Sequence, residues 1–239
     1  MALLGANGSG KSTLARMLNG LLLPARGTVT VDGLATSDEA QRHQLRRRVQ
    51  MIFQNPENQA VGLTPAEDIA FGLVNIGWPR QQLAARIDWA LEQVGLAAKR
   101  DRPVHALSGG EQQKLATAAC LALGPRWLVL DEATAMLDPA ARWQFRQTLD
   151  TIRRQERLGV IWITHHLEEV LGADRIVLMD GGRVHAVGRP GDVLGQPQLL
   201  EQCGVELPYL PALARELREA GLDVPSFPTI DELVTTLCR

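Results

Sequence analysis

Three glycines, a lysine and a hydroxyl lie within eight residues near the start of this chain, in Gly5-Ala6-Asn7-Gly8-Ser9-Gly10-Lys11-Ser12. The spacing GxxxxGK[ST], between an apolar run at 1–4 and a helical stretch, suits a polyphosphate. Gly5, Gly8 and Gly10 let the backbone curl until its N–H groups face one anion. Asn7, Ser9 and Thr13 complete the candidate phosphate-contacting run. The helix that follows adds the positive end of its dipole. Lys11 is placed to reach β- and γ-phosphates, and Ser12 to offer its hydroxyl to Mg²⁺. The alternative is a glycine-rich strand-to-helix turn with no ligand.

A second constellation follows the apolar run Leu128-Val129-Leu130. Asp131 and Glu132 are adjacent carboxylates at the end of a buried strand, where charge is costly unless a cation uses it. Asp131 is the candidate Mg²⁺ holder, through water, and Glu132 the general base that polarises an attacking water. The bland alternative is a strand ending in charged loop residues. Ser108-Gly109-Gly110 opens a helix over 111–123. Ser108 is a good N-cap by type, and the two glycines expose the first backbone N–H groups to an anion. Asp138 before Pro139 is an N-cap and N1 pair.

These residues need a scaffold that alternates strand and helix. Strands are predicted at 1–4, 28–31, 49–53, 127–130 and 160–164. A hairpin is predicted at 175–179 and 183–187 around Asp180-Gly181-Gly182. Helices are predicted at 11–21, 37–47, 139–156 and 166–171. Between Gln54 and Gly110, Leu83, Ile87, Ala90, Leu91 and Val94 recur at helical spacing, and the stretch reads as a helical insert. Such alternation gives a mainly parallel sheet with helices on its faces. The expected division is a phosphate-loop domain over 1–190, with core 1–53 and 115–190 and a helical subdomain 54–114. A small helical extension follows over 191–239.

The 239 residues are 45% hydrophobic and 22% charged, ordinary for a globular chain. A net charge of −2 gives no basic surplus, so no nucleic-acid partner is expected. No apolar run approaches the roughly 18 residues of a membrane span. Residues 1–4 lack the basic flank of a signal peptide. Cys120, Cys203 and Cys238 are far apart, fit no metal spacing and read as free thiols in a reducing compartment.

The GxxxxGK[ST] run, Leu107-Ser108-Gly109-Gly110-Glu111-Gln112 and Leu128-Val129-Leu130-Asp131-Glu132 together resemble the ATP-binding cassette (ABC) ATPases. The resemblance implies an α/β P-loop NTPase fold with a RecA-like core, ATP and Mg²⁺ as ligands, and ATP hydrolysis. It implies that the phosphate loop of one subunit meets Ser108-Gly109-Gly110 of a second ATPase across a shared ATP, with Asp138 contacting the opposite subunit. It places Gln54 in the loop that ligates Mg²⁺ or orders the water and links nucleotide state to the partner surface. It makes His165 the γ-phosphate switch residue, with His166 where many relatives carry an acid. The ordinary alternatives are an exposed loop glutamine and an exposed helix-start histidine.

Phe53-Gln54-Asn55-Pro56-Glu57-Asn58-Gln59, the run from Asp131 to Pro139, Gly204-Val205-Glu206-Leu207-Pro208 and Gly221-Leu222-Asp223-Val224-Pro225 are similar to the ATPase components of energy-coupling factor (ECF) transporters. That resemblance implies a peripheral protein at the cytoplasmic face of the membrane. Its partners there are a transmembrane T subunit and a substrate-binding S subunit that import a vitamin or transition-metal ion. Glu57, Glu67 and Asp68 become candidate contacts for arginines of the T subunit, or else solvated charges and helix-start residues. Family members begin a few tens of residues earlier, with an aromatic that stacks on adenine, so a late start is expected here. Glu111 and Lys114 stand where Gln and Arg are commoner. The competing functions are another ABC importer ATPase, a non-transport ABC ATPase acting on DNA or ribosomes, and a module that binds nucleotide without hydrolysing it. Intact Lys11, Asp131, Glu132 and His165 argue against the last.

Overall fold

The computed structural model describes residues 1–54, 59–135, 137–206, 209–225 and 230–237. In chain order its strands are β1 (Ala2–Leu4), β2 (Thr30–Val31), β3 (Leu34–Ala35), β4 (Val49–Ile52), β5 (Trp127–Asp131), β6 (Gly159–Ile163), β7 (Ile176–Asp180) and β8 (Arg183–Gly188). Its helices are α1 (Lys11–Leu18), α2 (Glu39–Arg48), α3 (Pro65–Asn75), α4 (Leu83–Gln93), α5 (Gly109–Ala122) and α6 (Pro139–Gln155). They continue with α7 (Leu167–Val170), α8 (Pro190–Leu194), α9 (Pro197–Gln202), α10 (Tyr209–Glu219) and α11 (Ile230–Leu237). The chain forms two compact units, Ser12–Ile163 and Met1–Lys11 with Thr164–Arg239.

In the unit Ser12–Ile163, β4, β5 and β6 run parallel, with Ile52 opposite Leu130 and Asp131 opposite Ile163. Leu128, Val129 and Leu130 are fully buried, as expected for a parallel strand covered on both faces. Trp127 pairs with Gly159, where a Cβ would run into the indole. Helices α3, α4 and α5 pack on one another, and α5 also reaches β4. Ile69, Leu73, Leu91, Leu115, Leu121 and Phe145 belong to the core they share with the strands. Helix starts follow local chemistry. Thr64 caps α3 with Pro65 in its first turn, and Asp138 caps α6 with Pro139 likewise. The strand predicted at 28–31 is half of a hairpin whose other half, β3, sequence reading missed. Asp32 and Gly33 turn it with φ of 51° and 78°. Helix α1 stops at Leu18 rather than 21, because Gly20 takes φ 70° and Leu21 N–H donates back to Arg16 O.

In the other unit β1 pairs parallel with β7, and β7 pairs antiparallel with β8 through Gly181 and Gly182, both at positive φ. Ala2, Leu4, Ile176 and Leu178 share a core with Val193, Leu194, Leu200, Cys203 and Val205. The segment through α8 and α9 is thus built onto the strand that feeds the phosphate loop. Beyond it, Ala214, Val224 and Leu233 make a separate small cluster for α10 and α11. Cys120 and Cys203 are buried free thiols, and Cys238 lies outside the described residues.

Candidate functional site

The loop between β1 and α1 takes the conformation its glycines permit. Gly5, Gly8 and Gly10 have φ of 149°, 81° and 95°, all costly for a residue with a Cβ. At Gly5 a Cβ would also collide with the Met179 carbonyl. The loop is held from outside by Gly182 N–H, which donates to Ser9 O at 3.1 Å. Lys11 is 4% exposed and folds across the loop. Its Nζ donates to Gly5 O and Ala6 O, both at 2.8 Å, and to Ser9 Oγ at 3.3 Å. A cation bonded to the rim of a glycine-rich turn fits the requirement of a bound polyphosphate. Asn7, Gly8 and Thr13 are exposed, while Ser9 is buried. In the unit that holds Gly5 to Lys11, His165 is exposed and stacks on His166 at 4.1 Å between ring centroids. His166 N–H donates to Thr164 Oγ1 at 3.0 Å.

In the unit Ser12–Ile163, Ser12 Oγ donates to Asp131 Oδ1 at 2.7 Å. Asp131 ends β5 and is 6% exposed. A hydroxyl and a carboxylate oxygen in contact are the hard donors Mg²⁺ prefers. Among the described residues no group of three His, Cys, Asp or Glu side chains could hold a metal alone. The Ser12–Asp131 pair suits an ion that takes its remaining ligands from phosphate and water. Glu132 follows with φ 51°. A left-handed non-glycine residue stores strain that the surroundings must fix. Here Glu132 N–H donates to Ile163 O, and Glu132 O accepts from Ala135 N–H, each at 3.0 Å. Residue 136 is not among those described.

The remaining candidates stand at element ends of this unit. Gln54 is exposed, two residues beyond β4. Asp138 Oδ1 accepts from Ala141 N–H at 2.8 Å. Helix α5 starts at Gly109, two residues earlier than the predicted 111, because Ser108 closes a full capping box. Glu111 N–H donates to Ser108 Oγ at 3.4 Å, and Ser108 N–H donates to Glu111 Oε2 at 3.1 Å. Lys99 Nζ donates to the other carboxylate oxygen of Glu111. That bond, with the Ser108 backbone, holds the Glu111 carboxyl below its ordinary value. Beside Gly109 a Cβ would meet nothing, so the helix N-terminus is open to an approaching group.

Some residues fell outside the sequence reading. Lys99 carried no spacing signal. Arg86 donates through Nε to Ala122 O at 2.8 Å and through a terminal nitrogen to Leu121 O at 2.9 Å, and it lies over Trp89 at 3.9 Å. A concavity of about 220 Å³ is lined by Val61, Phe71, Val104, Leu115, Cys120 and Leu123 among others. Phe71 and Leu63 nearby are 51% and 79% exposed. The two described acids of this region hold the turn before α3. Asp68 Oδ1 accepts from Val61 N–H at 2.7 Å and Gly62 N–H at 3.0 Å, and Glu67 Oε2 accepts from Leu63 N–H at 3.1 Å. Their helix-start role is the one the geometry favours over an arginine-binding role. Glu57 lies outside the described residues.

Residues 1–135 match the family model described as "ABC transporter". This chain belongs to the ABC transporter ATPase family. Among relatives of known name, the energy-coupling factor transporter ATP-binding protein EcfA1 of Symbiobacterium thermophilum is 47% identical over 240 aligned positions. That alignment covers 100% of this chain and 84% of the relative, which places the chain in the ECF branch of the ABC ATPases. Among solved structures, cbiO1 of Clostridium perfringens, described as part of the ABC transporter complex cbiONQ, aligns with a TM-score of 0.76 at 32% identity. It covers 90% of this chain and 86% of that one. The ATP-binding cassette MJ0796, as a dimer in a post-hydrolysis state with ADP and Pi, aligns at 0.71 and 26% identity, covering 79% and 84%. The fold is that of the ABC ATPases, and ATP hydrolysis is the activity of the chain.

Proposed function

We propose that this ABC ATPase powers import of a vitamin or a transition-metal ion through an ECF-type membrane complex, as a peripheral subunit on the cytoplasmic face. The names of its relatives support this reading. On it, the chain pairs with a second ABC ATPase, itself or a related chain, and docks on the membrane subunits T and S. Gly5 to Thr13 and Lys11 bind the phosphates, and Ser12 with Asp131 hold Mg²⁺, assisted by Gln54. Bound Mg²⁺ supplies neutralisation of phosphate charge. Glu132 takes the proton of the attacking water, and His165 orients the γ-phosphate end. Gly109 and Gly110 offer their N–H groups beside the Ser108 cap, and Asp138 its loop, to the nucleotide held by the opposite subunit.

The observation that carries the transport part is the apolar concavity between α3 and α5 with Phe71 at its side. At about 220 Å³ it is below the ~300 Å³ at which small-molecule pockets begin. It suits one or two side chains of a docking helix rather than a ligand. The test is reconstitution with the membrane subunits. Phe71→Asp should leave ATPase of the isolated chains within about twofold while complex recovery and uptake fall about tenfold or more, as for a buried aromatic anchor. Unchanged uptake and complex recovery would remove the docking proposal.

A further inference from the structure

The phosphate loop is braced by the turn that closes α9. Ala6 N–H donates to Cys203 O at 3.1 Å. That N–H belongs to the same peptide unit as the Gly5 carbonyl, which accepts from Lys11 Nζ at 2.8 Å. A trans peptide is planar, so fixing the direction of its N–H fixes the opposite direction of its C=O. Cys203 O thus sets the orientation of a carbonyl on which the Lys11 ammonium rests.

The adjoining residue is fitted to the loop as well. Gly204 has φ 64°, and a Cβ built there would lie 2.8 Å from Ala6 Cβ. Val205 N–H donates to Leu200 O, and Gly204 N–H to Glu201 O, which closes α9 as a left-handed glycine cap. Cys203 and Val205 are buried in the core that contains Ala2 and Leu4 of β1. The brace therefore shares a rigid core with the strand leading into the loop.

From this we propose that the Cys203–Gly204 turn is a positioning element for nucleotide, holding the phosphate loop and Lys11 in binding geometry. The proposal rests on the reading of Gly5–Lys11 as the phosphate site. Gly204 is constrained twice, by its backbone angle and by Ala6. Gly221 in the same C-terminal segment shares the first constraint without the second: its φ is 90°, and a Cβ there would meet nothing within 4 Å.

The test measures MgATP dissociation constants by calorimetry on the full chain. Gly204→Ala should weaken binding about tenfold, because relieving the contact with Ala6 shifts the peptide whose carbonyl seats Lys11, and a tenfold loss is a small part of the binding energy of a charged phosphate site. Gly221→Ala, with comparable backbone strain, should stay within about twofold. Adding Ala6→Gly to Gly204→Ala removes the collision and should restore most of the affinity. Lys11→Ala serves as the reference. If Lys11→Ala loses binding while Gly204→Ala does not, the brace is wrong and the phosphate site stands. If neither loses binding, the phosphate-site reading fails and the brace with it. Hydrogen exchange on the unaltered protein provides a second measure. The Ala6 amide should be protected without nucleotide, and exchange at the rate of a free loop amide would overturn the proposal.

Discussion

Replacing Arg86 should destabilise the protein from a point far along the chain from every catalytic candidate. The last carbonyls of a helix lack partners within it. In α5 two of these, Leu121 O and Ala122 O, accept from the one guanidinium at 2.9 and 2.8 Å. The same group lies 3.9 Å from the Trp89 ring and 5.3 Å from Trp78. A hydrogen bond from a charged donor contributes about 1.5–3 kcal/mol, and a cation over an indole about 0.5–1 kcal/mol. Burial opposes this, since it pulls the Arg86 pKa below its ordinary value, with Glu156 acting the other way. The low ends of two such hydrogen bonds and one ring contact come to about 3.5 kcal/mol, and the opposing burial cost brings the net loss for Arg86→Ala to about 2 kcal/mol. For a chain of this size that is a fall in Tm of about 4–8 °C. Arg86→Lys keeps the charge but neither the two-pronged donor nor the flat stacking face, so it should recover less than half. The penalty should be constant between about pH 5 and 9, because arginine stays charged throughout. Thermal and urea melts of the three proteins decide the matter. A loss for Arg86→Ala below about 0.3 kcal/mol, or full recovery by lysine, would refute the carbonyl-capping argument.

Three further outcomes are expected. Glu132→Gln should retain MgATP affinity within severalfold while single-turnover hydrolysis falls about 10²–10⁴-fold, the range of a lost general base; equal rates would reassign the base. The lowered Glu111 carboxyl, caused first by Lys99, adds stability that is present above the unfolded glutamate value of about 4.3 and is lost as pH falls through the lower folded value. The Lys99→Ala penalty in Tm should therefore be present at pH 7 and vanish at low pH, and an undiminished penalty in acid would exclude the ion pair as its source. Burial, with a smaller contribution from Asp68, pushes the Cys120 thiol up to about 12. In a Cys238→Ser background, iodoacetamide at pH 8 should leave Cys120 unlabelled until urea unfolds the chain, as read by mass spectrometry.

The sequence determined what depends on a residue and its near neighbours. Glycines at positive φ mark the phosphate loop. Ser108 and Asp138 cap the helices they precede, and the unbroken apolar run 128–130 forms a strand buried on both faces. Each follows from backbone conformation over a few residues. Even there, the end of α1 and the second half of the β2–β3 hairpin were missed, because a glycine cap and a two-residue strand leave weak periodic signals. Tertiary structure decided the partners. It put Ser12 on Asp131, paired Lys99 with Glu111, and ran the Cys203 carbonyl to Ala6. No spacing rule joins residues so far apart. Burial makes these pairings necessary, because a donor or acceptor taken out of water must find a partner wherever the fold brings one.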